Sequence, residues 1–237
     1  MTTTLSNIAF NKTSIGVFLI YFNFRHVSVV TFDEDSALVL VNRDLTSPSS
    51  LELAERELRL VLDCDVTLVD RASVYPTLLK DIDLLSCPLL EFTASGHETP
   101  AVCLSYDTHV LKSLLMLSVV KDCCSTIVTD ARTQIVGRHS NDVENPESIA
   151  VEALHDEDTD VNTDSVVKRS MARATRAIQN AEAITIKERE TLLAELTTLG
   201  EAGEDLLVRA AAAQRLGRIV TEVEQTMLNE CAYRDKK

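Results

Sequence analysis

Residues 15–42, IGVFLIYFNFRHVSVVTFDEDSALVLVN, hold the decision on fold class. Three runs within them, IGVFLIYFNF, HVSVVTF and ALVLVN, are rich in Val, Ile, Phe and Tyr. These side chains suit a pleated, half-buried surface. The DEDS break at 33–36 predicts a turn between the second and third runs, and residues 23–26 a bend between the first and second. The stretch therefore predicts three strands in succession. Five of the six Phe lie before residue 33, so the aromatic part of the core is expected here.

Downstream the pattern alternates. Ser50 is a candidate N-cap for a helix through LELAERELRLVLDC, with Leu51, Ala54, Leu58 and Val61 on one face. VTLV (66–69) predicts a short buried strand ending at Asp70. YPTLLKDIDLLS predicts a helix with Pro76 at its first position. LLEFTA and AVCLSY predict strands around the loop SGHETP. Asp107 or Thr108 caps a helix through HVLKSLLMLSVVKDCC, and TIVTDARTQIVG (126–137) predicts a closing hairpin. The expected fold class is α+β: a mixed α/β domain over residues 1–140. Its order of elements, three strands and then alternating helices and strands, matches that of a ribonuclease H-like fold. Such a frame hosts many functions.

The net charge of -14 is unevenly placed. Residues 1–140 carry 17 acidic and 11 basic side chains, residues 141–165 nine acidic and none basic, and residues 166–237 eleven acidic and twelve basic. Residues 141–164 thus predict an acidic, disordered linker. An acidic chain repels phosphates, so nucleic acid is not an expected partner. The apolar stretch at 17–22 is too short for a membrane span of about 20 residues and too late for a signal peptide. The cysteines, Cys64, Cys87, Cys103, Cys123, Cys124 and Cys231, lie mostly in apolar runs. They suggest buried thiols in an intracellular protein, cytoplasmic or nuclear.

Residues 165–232 change to a helical period. Val167, Met171, Ala174, Ile178 and Ala181 step by 4, 3, 4 and 3. TIKE (185–188) is a capping box opening a helix with Leu192, Leu196 and Leu199, closed by Gly200 and Gly203. Leu216, Val220, Val223 and Met227 form a seam on a last helix. Helices of this kind are marginal alone, which predicts a hairpin or three-helix interaction region.

Catalytic and metal constellations are incomplete. The acidic run HDEDTDVNTDS (155–165) fails as an EF-hand loop. That loop needs Gly at position 6 and Glu at position 12. Counting from Asp156 these are Val161 and Val167, and from Asp158 they are Thr163 and Arg169. A two-metal nuclease needs clustered carboxylates, one of them in the first strand. That strand has none, although Asp70, Asp107 and Glu52, Glu55 or Glu57 are available. Cys87, His97, Cys103, His109, Cys123 and Cys124 lack zinc-site spacing, and no Gly-rich phosphate loop is present. The expectation is therefore no catalytic residue, metal or cofactor. The expected role is a non-enzymatic interaction or scaffold subunit of an intracellular complex. It would bind a protein partner or a second copy through Leu216, Val220, Val223 and Met227, with Arg169, Arg173 and Arg176 as a basic stripe beside them. A metal-dependent nuclease on the ribonuclease H-like frame is the alternative.

Overall fold

A computed structural model of the chain describes residues 15, 21–22, 24–30, 36–43, 51–62, 65–88, 106–141, 159–203 and 205–234. The fold class is α+β and mostly helical, with a mixed four-stranded sheet among the described residues. Two compact units, Met1–Val119 and Val120–Lys237, divide the chain. The division falls inside a long helix, whereas the charge pattern places the boundary near residue 140. No helix among the described residues is long and apolar enough to cross a membrane.

The first unit holds β1 (Phe24–Val30), β2 (Ser36–Arg43), α1 (Leu51–Leu62), β3 (Asp65–Asp70), a 3-10 turn (Arg71–Ser73), α2 (Leu79–Leu85) and β4 (Ser86–Pro88). The start of α3 (Thr108–Asn141) also belongs to it. The sheet order is β3-β2-β1-β4. β1 runs antiparallel to β2, with Val30 opposite Leu38, and antiparallel to β4. β2 and β3 are parallel. Parallel neighbours need a crossover, and α1 supplies it. Leu51, Ala54 and Leu58 on α1 join Val29, Val39, Val41, Val66 and Leu68 of the sheet in one core.

α1 also finishes the edge of the sheet. β3 is an edge strand, and an unpaired edge is a template for unwanted pairing. Glu55 is buried and accepts a hydrogen bond from the Leu68 N–H at 3.0 Å. Arg59 Nε donates to the Val66 carbonyl at 2.9 Å. Arg59 also pairs with Glu55 and Asp65. Two side chains of α1 thus take the place of a neighbouring strand.

Several expectations change here. In the first of the three expected strands, Ile15 and Tyr21 are helical and Phe22 lies in a turn; its last residue, Phe24, opens β1, and Phe24–Val30 absorbs the expected bend. Pro76 lies in a turn, and α2 starts three residues later. The strand expected over LLEFTA and residues 101–105 of the one over AVCLSY lie outside the described residues, and Tyr106 is a bend.

The clearest correction is at residues 126–137, which are helix rather than hairpin. Cys124, Ile127 and Ala131 are buried at helical spacing. Their burial outweighs the strand preference of the β-branched residues around them.

The second unit contains the rest of α3, α4 (Thr159–Asn180), α5 (Ile186–Glu201) and α6 (Leu206–Arg234). α4 starts at Thr159, so residues 159–164 of the acidic stretch are helical rather than linker. Residues 142–158 lie outside the described residues. Thr185 caps α5 through the complete capping box with Glu188. Past α5, Gly203 has φ +58°, the left-handed conformation that costs other residues most.

Candidate functional site

The carboxylates that could serve a nuclease have structural partners instead. Asp70 is buried at the end of β3, and its Oδ1 accepts from the Ala72 N–H at 3.0 Å, capping the 3-10 turn. Glu55 is held on the β3 edge, and Asp107 accepts from the His109 N–H at the start of α3. Glu52 is buried, whereas Glu57 is partly exposed beside Arg56. Among the described residues, no three His, Cys, Asp or Glu side chains are grouped to hold a metal ion. Cys87, Cys123, Cys124 and Cys231 are not joined in disulfides, and Cys64, His97 and Cys103 lie outside the described residues. Burial, followed by the nearby Asp122 charge, pushes the Cys124 thiol up to about 12. It is therefore no nucleophile at neutral pH.

The residues expected to bind a partner are placed differently from one another. Leu216, Val220, Val223 and Met227 are all buried within the chain itself, as are Val167, Ala174, Ile178 and Ala181. The seam is the second unit's own core. The basic stripe also divides. Arg173 is only 2% exposed, Arg169 is half-buried with no acceptor for its Nε among the described residues, and Arg176 is exposed. A buried arginine cannot act as a solvent-facing contact for phosphate.

Arg173 belongs to a set of buried charges between helices. Its Nη1 donates to Asp122 Oδ2 at 3.0 Å and lies 3.6 Å from Cys123 Sγ, tying α4 to α3. The preceding residue, Lys121, places Nζ 2.8 Å from Oε2 of Glu224, so α3 also contacts α6. Consecutive residues of a helix point about 100° apart, so one step along α3 addresses two neighbours. Cys123 and Cys124 repeat the division: the first lies beside Arg173, and the second is 3.7 Å from where a Cβ on Gly217 would stand.

Sequence reading missed Lys121, Asp122 and Glu224. The available signal was a charged pair inside the apolar run LLMLSVVKDCC, and an acid beside the Val220–Val223–Met227 seam.

α3 and α6 pack antiparallel. Lys121 meets Glu224, Cys124 meets Gly217, and Arg209 acts on Asp130. Burial pushes the Asp130 carboxyl above its ordinary value, against the pull of Gln134 and Arg209. Continuing the register brings Val136 of α3 to the same end of the unit as Leu207 and Val208 of α6. These three are apolar yet 64%, 70% and 51% exposed. Asp205 caps α6 there, accepting from the Leu207 and Val208 N–H groups. The exposed pair is thereby held on an ordered first turn.

No protein-family model, curated protein or solved structure matches the chain.

Proposed function

We propose that this chain is a non-enzymatic interaction subunit of an intracellular complex, contacting a protein partner through the apolar end of its helical unit. The observation that carries this reading is the exposure of Val136, Leu207 and Val208, which the α3–α6 register assigns to the same end of the unit. Large apolar side chains left exposed beside polar surface are what protein contacts use. The surface differs from the one expected on α6, because that seam is occupied within the chain. The net charge of -14 disfavours a nucleic-acid partner.

The test is the double substitution Val136→Asp with Leu207→Asp in the full chain. Both positions are exposed, so the melting temperature should stay close to wild type; surface changes rarely exceed about 0.5 kcal/mol. Recovery of the partner from extract, or self-association if the partner is a second copy, should be lost. Unchanged recovery and unchanged mass would defeat the proposal.

The alternative remains a metal-dependent nuclease on a ribonuclease H-like frame. Its support is the position of Asp70 at the end of β3. Magnesium- or manganese-dependent cleavage by the full chain, lost in Asp70→Asn, would reverse the ranking. No cleavage is expected, since Asp70 already caps a turn.

A further inference from the structure

Glu224 is 1% exposed, on the inward face of α6 among Val220, Val223, Met227 and Leu228, which are themselves buried. An ionised carboxylate can accept about four hydrogen bonds, yet among the described residues neither oxygen of Glu224 receives a well-directed one. Its partner is the Lys121 ammonium, in ion contact at 2.8 Å, and the lysine side chain is itself 22% exposed. The other charged side chains with defined partners between these helices are engaged elsewhere. Arg173 and Asp122 hold each other between α3 and α4. Arg215 holds Glu195 between α5 and α6. At the start of α5, Glu188 closes its capping box and Arg189 donates to the Ala181 carbonyl. A buried carboxylate supported on one side only is disfavoured as an ion.

We propose that Glu224 is a proton-sensitive lock on α6: taking up a proton from solvent tightens the α6–α3 contact, and losing it loosens that contact. As a neutral acid, Glu224 no longer places an under-solvated charge against the apolar face.

The titration has the sign this device requires. Burial raises the Glu224 carboxyl above its ordinary 4.5, and the close Lys121 ammonium only partly offsets the rise. The folded unit therefore binds this proton more tightly than the unfolded chain does. The penalty from the ionised group is complete above the raised value. It falls away as pH drops from there towards 4.5, and it is absent below 4.5.

Site-resolved amide exchange on the full chain, corrected for intrinsic rates, tests the proposal at residues 220–228. In wild type, protection should rise by up to about tenfold per pH unit as pH falls through that window. Glu224→Gln mimics the protonated acid. It should match or exceed wild-type protection at neutral pH and lose the slope. Lys121→Met removes the counter-charge and should move the slope to higher pH, a displacement that a purely packing role would not produce. The exposed neighbour Glu222→Gln should keep the wild-type profile. If Glu224→Gln retains the wild-type slope, or lowers protection or unfolds the unit at neutral pH, the lock is refuted.

Discussion

Replacing Arg173 by Met is expected to destabilise the helical unit by about 3–5 kcal/mol, because it leaves the buried Asp122 carboxylate without its counter-charge. Arg173 is 2% exposed and Asp122 4%, so solvent does little to screen the loss. A domain's whole stability is about 5–15 kcal/mol, so the melting transition of this unit should fall sharply or disappear. The paired change Asp122→Leu with Arg173→Met removes both charges and should recover most of the loss. The two sites share an interaction, so their effects are not additive. Chemical denaturation of the four members of this cycle measures the coupling. A single mutant as stable as wild type would mean that the pair contributes nothing.

The second large effect is expected from Leu216→Asp combined with Val223→Asp. Both side chains are buried in the second unit. Truncating one buried Leu costs about 2–5 kcal/mol, and an unpaired buried carboxylate adds to that. The double variant should therefore unfold the helical unit. Loss of helical circular dichroism would show this. The opposite outcome, a folded helical unit released from a larger assembly, would mean that the seam is an intermolecular contact. These substitutions and the surface pair Val136→Asp with Leu207→Asp should thus have opposite signatures. One removes the fold, and the other removes the partner and leaves the fold intact.

Local chemistry was legible where it depends on short spacing. The Thr185–Glu188 capping box, Leu51, Ala54 and Leu58 as the core face of the first helix, and the strand ending at Asp70 all follow from residues within one or two turns of each other. The apolar periods also marked faces that are covered: Val167, Ala174, Ile178, Leu192, Leu196 and Leu199 are buried, and so are Leu216 and Val220, which were expected against a partner. A period of 3.6 or 3.5 marks a face that must be covered, and it does so without reference to the rest of the chain.

Identifying what covers such a face requires the partner surface. The α6 seam has the same appearance whether another chain or the neighbouring helices cover it. Residues 126–137 offer β-branched side chains that suit a strand, but the helical packing of Cys124, Ile127 and Ala131 decides for helix. Arg173 belongs to a basic stripe when the sequence is laid on one helix. It becomes an interior ion pair only because Asp122, 51 residues earlier, is brought within 3.0 Å. Glu55 and Arg59 similarly read as ordinary surface charges until β3 lies beside them and offers its unpaired edge. The sequence by itself determined which faces are apolar, the capping box at Thr185 and Glu188, and that the acidic excess is concentrated in residues 141–165. The tertiary structure alone decided which charges are buried and which apolar residues stay in water. A charge's cost and an apolar group's gain depend on the dielectric and the neighbours around it, and those neighbours are distant in sequence.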